Sequence, residues 1–244
     1  MSLLHRGWAA SSMGALMGVL SVGLAGCISV GIGTDTGVQP MFELHDPAAV
    51  SGTTAQGAPA AARVPTLLIQ MLPGNAVAET TSIAYSRQPH EVAFYKLATW
   101  GERPVHQIPR LLQQRLQARD VAGAVGLLGD PLRSDWLPTL TVERLVHDVA
   151  TPPGLAQLRL DAAVYDRRNG QRIGRRAFVA TAPAATATSS AAVAAMSVAL
   201  SRSFDELTPW LEVQLQAGMA RRQVMSRSES AAPAAASASA PSRP

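Results

Sequence analysis

The sequence predicts an α+β fold: a single α/β sandwich domain in which two amphipathic helices pack on a mixed or antiparallel sheet. Three observations predict it. Residues 155–180 alternate apolar and polar positions on both sides of Asn169-Gly170, the pattern of a β-hairpin. Within residues 104–119, Ile108, Leu111, Leu112 and Leu116 fall on one helical face. Within residues 189–217, Val193, Met196, Leu200, Phe204, Leu207 and Leu211 form a second stripe at spacings of three and four.

The chain opens with His5 and Arg6 before an uncharged apolar run from Ala9 to Ala25, the layout of a secretory leader. A retained membrane helix is the weaker alternative, because Ala, Gly and Ser contribute little transfer energy. Leu24-Ala25-Gly26-Cys27 closes the run, and Cys27 is the only cysteine. A thiolate is a strong nucleophile toward a lipid donor. Two or more acyl chains, at ~0.8 kcal/mol per buried methylene, anchor stably where one chain does not. The four residues resemble a bacterial lipobox. That resemblance implies signal-peptidase recognition through Leu24, Ala25 and Gly26, lipidation of Cys27 and, with Ile28 rather than aspartate next, an outer-membrane destination facing the periplasm. The alternative is a chance free cysteine. A lone cysteine forms no internal disulfide, so the domain relies on its own core.

The expected organisation is a lipoprotein signal peptide (1–26), a flexible Gly- and Thr-rich tether (27–40), one α/β domain (41–217) and a disordered Ala/Ser/Pro tail (218–244). The net charge is +4. Setting aside Arg6 in the leader and Arg221, Arg222, Arg227, Arg243 and Glu229 in the tail leaves the body balanced, which removes any basis for nucleic-acid binding.

In the domain, Met41-Phe42-Glu43-Leu44 reads as a short strand, and Pro47 to Arg63 as a loop or insertion. Val64 to Leu72 is an apolar run suited to a buried strand, with Pro65 near its start. Ser82 to Tyr85 and Glu91 to Trp100 read as strands around a turn at Arg87 to His90, with a helical turn near Trp100 as an alternative. Pro104 opens the first helix, whose polar face carries Gln113, Gln114, Arg115, Gln117 and Arg119. Val121 to Leu128 reads as a small-residue connection, and its Gly123, Gly126 and Gly129 match no phosphate-cradling spacing. Thr139 to Val149 is a strand, Pro152-Pro153-Gly154 a turn, and Asn169-Gly170 predicts a type I′ turn. Thr186, Thr188 or Ser189 caps the second helix, with Pro209 expected to bend it.

The order of these elements, with Tyr85, Arg87, Phe94, Tyr95 and Trp100 before the first helix, Asp166 in the hairpin and Trp210 in the last helix, resembles the ABC-type transport auxiliary lipoprotein family, of which PqiC-like proteins are members. The likeness runs from about Phe42 to Leu215. It departs from the family pattern in the stretch after Pro47, in phenylalanine at Phe42 and in the polar tail. It implies an accessory lipoprotein of a system moving lipids or other hydrophobic molecules between membranes, with an MCE-domain protein and ABC transporter subunits as partners. The family implies binding and organisation without catalysis, and a homo-oligomer.

The residues themselves point the same way on catalysis. His45, His90, His106 and His147 lack metal-ligand spacing, and no Gly-x-Ser-x-Gly elbow occurs, so neither metal nor cofactor is expected. His147-Asp148 reads as ordinary hydrogen bonding. Two clusters are candidate partner or ligand contacts. Arg167, Arg168, Arg172, Arg175 and Arg176 flank the hairpin turn, where they meet lipid phosphates or an acidic partner, or simply keep the tip solvated. Tyr85, Phe94, Tyr95 and Trp100, beside Arg87, line an apolar groove for a lipid ligand or an oligomer contact, or pack in the core. The other functional reading is a structural or assembly lipoprotein of a different envelope complex.

Overall fold

A computed structural model describes residues 39–49 and 64–236, with side chains as far as Ser228. The elements are β1 (Met41–Phe42), β2 (Val64–Met71), a 3₁₀ turn (Ala76–Glu79), β3 (Ser82–Ser86), β4 (Ala93–Trp100), α1 (Pro104–Ala118), β5 (Ala122–Leu127), β6 (Trp136–Asp148), β7 (Leu155–Asp166), β8 (Gln171–Pro183) and α2 (Ser189–Ala236). The expected signal peptide, nearly all of the tether, most of the loop after Pro47 and the last eight residues lie outside the described residues.

The long strand β6 carries the sheet. On one side it pairs antiparallel with β7 over its whole length, from Trp136↔Asp166 to Asp148↔Leu155, and β7 pairs antiparallel with β8. Its other side is shared. β2 runs parallel to the first half, as in Met71↔Leu140, and β3 runs parallel to the end, as in Tyr85↔His147. Each neighbour starts a branch: β5 lies beside β2, whereas β4 and then β1 lie beyond β3. The result is an eight-stranded mixed sheet that forks at β6.

α1 lies over β2 and β5, α2 lies over β6, β7 and β8, and one hydrophobic core joins them. Leu67, Ile69, Leu140, Leu158, Leu160 and Phe178 of the sheet meet Ile108, Leu112 and Leu116 of α1 and the whole expected stripe of α2, from Val193 to Leu211. Each such fully buried side chain stabilises the fold by about 1.5–3 kcal/mol. Thr188 caps the start of α2: its backbone oxygen accepts from Ala192 N and its hydroxyl accepts from Ala191 N. The helix continues through Pro209 as one element.

Three local expectations are corrected. Val121 to Leu128 is largely strand rather than connection, because β5 is held between β2 and α1; a Cβ at Gly123 would lie 2.8 Å from the Pro65 carbonyl oxygen, so the small residues reflect close packing. The hairpin turn is a four-residue loop, Arg167 to Gly170, closed by Gly170 N to Asp166 O at 2.8 Å. In it only Gly170 has positive φ, at 70°, where a type I′ turn needs two such residues. The last helix runs to Ala236 instead of ending near residue 217, so residues 218–236 are helical rather than disordered. Gly218 does not break it: a Cβ there would lie 2.5 Å from the Trp136 ring, and the glycine lets the helix pass close over that tryptophan. Met219 then packs on the core, and Arg222 is tied to Asp166 and Asp135.

Candidate functional site

The aromatic residues of β3 and β4 converge at the end of the sheet where β3 meets β6. Tyr85 and Tyr95 have ring centroids 5.0 Å apart, and the Tyr95 hydroxyl is hydrogen-bonded to His147 Nδ1 at 2.7 Å. His147 is fully buried. Burial holds its pKa below the ordinary value, against the opposing pull of the Pro153 carbonyl and Asp148, so the neutral ring is favoured. Burial likewise raises the Tyr95 pKa, with a smaller contribution from Tyr85. Asp148 does not orient His147. Its carboxylate accepts from Ala150 N and Gln157 Nε2.

Tyr85 and Tyr95 also line an open groove of about 460 Å³, together with Arg87, Phe94, Lys96, Val149, Pro152 and Ala187. The Arg87 guanidinium lies 5.0 Å from the Tyr85 ring centroid. Tyr85, Arg87, Phe94 and Tyr95 are thus brought together as the sequence suggests. Trp100 is not among them. Between the pairs Ala84↔Phe94 and Ser82↔Thr99 the register of β3 and β4 shifts, and beyond this irregularity Trp100 points into the core, 3% exposed. Val149, Pro152 and Ala187 come from distant segments that no local pattern joins to the aromatics.

The turn that closes this end is sensitive to one glycine. Gly154 has φ +103°, and a Cβ there would sit 2.5 Å from His147 Nε2 and 2.6 Å from the Asp148 carbonyl oxygen. Gly154→Ala is therefore expected to destabilise the fold by about 1–3 kcal/mol and to perturb the His147–Tyr95 contact. Chemical denaturation and the His147 imidazole NMR shifts would report both effects.

The hairpin arginines do not act as one cluster. Arg167 donates to the Ser134 carbonyl at 3.2 Å and Arg168 pairs with Asp135 at 2.6 Å. Arg175 pairs with Asp161 at 3.0 Å, and Arg176 pairs with Glu206 of α2 at 2.8 Å while lying over Phe178. Arg172 lines a small depression with Arg175, Glu143 and Asp161. Most of these charges are already neutralised, which favours the solvated-tip alternative.

Two ion-pair clusters, one buried and one partly buried, escaped the sequence reading. Arg115, assigned there to the polar face of α1, is 1% exposed and pairs through Nε and Nη2 with Asp46 and through Nη1 with Asp205. Arg222, assigned to the tail, pairs with Asp166 and Asp135, and its guanidinium carbon stands 4.0 Å from the Trp136 ring centroid. Both are structural clamps. Among the described residues no group of His, Cys, Asp or Glu side chains is arranged to hold a metal ion.

The family described as the ABC-type transport auxiliary lipoprotein component matches residues 43–208. The chain belongs to this family. It is the family that the β3–β4 aromatics and the order of elements resemble. The crystal structure of a Xanthomonas campestris protein of family DUF330 is similar, with TM-score 0.60 at 18% identity, covering 75% of this chain and 97% of that one. An uncharacterized protein of known structure is similar at TM-score 0.51 and 15% identity, covering 60% of this chain and 92% of its own. At these identities the likeness is one of fold. No curated protein matches the sequence.

Family membership places the chain among lipoproteins that serve ABC-type transport. Leu24, Ala25, Gly26 and Cys27, on which the anchor depends, lie outside the described residues. Among the described residues no helix is long and apolar enough to cross a membrane.

Proposed function

We propose that the chain is a lipid-anchored accessory protein of an ABC-type system that moves lipids or other hydrophobic molecules across the cell envelope. Its partners are an MCE-domain protein and the transporter's own subunits, and the domain faces the periplasm from the outer membrane. It binds and organises these partners, with further copies of itself as an additional contact, and catalyses nothing.

The observation that carries this reading is the family match over residues 43–208, standing directly downstream of Leu24-Ala25-Gly26-Cys27. Ile28 in place of aspartate supports the outer membrane.

Crosslinking in intact envelopes followed by purification of the chain tests the partners. Recovery of an MCE-domain protein with a permease or ATPase is the expected result. Recovery of a different envelope complex alone would move the protein to an assembly role. The anchor has a separate test: Cys27→Ser is expected to leave the precursor uncleaved or release the domain from the membrane fraction, and unchanged attachment would refute lipidation at Cys27.

A further inference from the structure

We propose that the groove between β3, β4 and the β6–β7 turn is a binding site for an anionic phospholipid, with the phosphate on Arg87 and Lys96 and the acyl portion against Tyr85, Phe94 and Tyr95. This goes beyond the accessory role and does not depend on which partner that role involves.

Its volume of about 460 Å³ lies within the range of about 300–1,000 Å³ typical of small-molecule sites. The charge pattern selects the ligand. No carboxylate lines the groove, and among the described residues neither Arg87 nor Lys96 makes an ion pair. The hairpin tip differs in this respect: Arg175 and Arg176 face Asp161 and Glu206 at 3.0 and 2.8 Å. Arg87 is instead held over the Tyr85 ring, which orients the guanidinium without neutralising it. A guanidinium so held has its fork of donors left for a phosphate.

The apolar half adjoins the cations. Phe94 is 43% exposed and lines the same groove as Tyr85 and Tyr95. Free phosphate would satisfy the cations and leave these rings in water, whereas an uncharged lipid would cover the rings and leave the cations unmet. A molecule with both parts matches both. The wall is also fixed in advance, because the Tyr95 hydroxyl is tied to the buried His147, so little ordering is needed on binding.

The test uses the full lipidated chain in phosphatidylcholine vesicles, titrated calorimetrically with soluble dihexanoylphosphatidylglycerol. Inorganic phosphate and dihexanoylglycerol serve as the headgroup-only and tail-only arms. The amphiphile is expected to bind at least tenfold more tightly than either half. Arg87→Gln with Lys96→Gln is expected to weaken it about 30-fold, roughly five- to sixfold for each exposed charged contact. Phe94→Ser is expected to weaken it severalfold, and Arg175→Gln with Arg176→Gln to leave it unchanged. All three changes fall at exposed or groove-facing side chains, and circular dichroism checks that each variant is folded. Binding of inorganic phosphate as tight as that of the amphiphile would reduce the groove to an anion site and overturn the proposal. So would unchanged affinity in the folded Arg87/Lys96 variant, or an equal loss in the hairpin variant. Any of these leaves the partner crosslinking untouched, so the two readings fail separately.

Discussion

Asp46→Ala is expected to lower the unfolding free energy by about 3–5 kcal/mol, the range for stripping one partner from a buried ion pair. Asp46 is 3% exposed and Arg115 is 1% exposed. The guanidinium donates to both Asp46 oxygens, to Asp205 and to Ser201. Without Asp46 it keeps only Asp205, which is half in water, and one hydroxyl. Replacing both partners together, as in Asp46→Leu with Arg115→Met, is expected to restore most of the loss, because no charge is then left buried. Urea denaturation of the single and double variants measures the difference.

The same pair sets an acid limit. Burial alone would raise the Asp46 pKa, but the hydrogen bonds from Arg115 and Ser201, the Arg115 charge and the Ala48 amide outweigh it and hold the carboxyl below its ordinary 3.8. A group whose folded pKa lies below its unfolded one stabilises fully above the unfolded value, and loses that contribution as pH falls toward the folded value. The stability gap between the native chain and Asp46→Asn is therefore expected to be constant from pH 7 to about 5 and to shrink below about pH 4. A gap that widens on acidification would contradict the ion-pair account.

The clamp also bears on function. Leu44 N donates to Gln107 of α1 at 2.7 Å and His45 N to Ser197 of α2 at 3.3 Å, so three consecutive residues fasten the entry of the domain to both helices. If Cys27 is the anchor, tension from the membrane reaches the core through this segment.

How far the sequence could be read depended on the distance over which each signal acts. The β7–β8 hairpin was legible because its alternation and its turn are neighbours in the chain, and the α2 stripe because one helix face repeats locally. Arg115 looked solvated because its partner Asp46 lies 69 positions away, and a helical wheel cannot distinguish a buried cation from an exposed one. Arg222 was misread for the same reason, its partners lying 56 and 87 positions away. The net charge of the ends was then misread too, since Arg222 belongs to the body and is neutralised there. At the groove, Tyr85, Arg87, Phe94 and Tyr95 were found because adjacent antiparallel strands bring them together, whereas the shift that turns Trp100 inward leaves no mark in its own residue pattern.

Ending the chain at Ala217 is expected to destabilise the domain by about 3 kcal/mol or more, whereas ending it at Ser228 is expected to change stability by under about 0.5 kcal/mol. The first cut removes three contacts at once. Gly218 and Met219 no longer cover Trp136, which is 2% exposed in the intact chain. The cation over the indole face is lost, an interaction worth about 2 kcal/mol when desolvated. Asp166, with a side chain 6% exposed, loses the guanidinium that bonds both its oxygens and keeps only the Arg168 amide. The second cut removes only residues beyond the last of these contacts. Arg222→Lys separates geometry from charge: the ammonium keeps the attraction to Asp166 and Asp135 but cannot bond both carboxylates in a fork while lying flat on Trp136, so about half of the loss is expected to persist. If the chain ending at Ala217 matched the full chain in urea, the last turns of α2 would be an appendage. The fork on Asp166 and the stack on Trp136 argue that they lock the final helix across the start of the central strand.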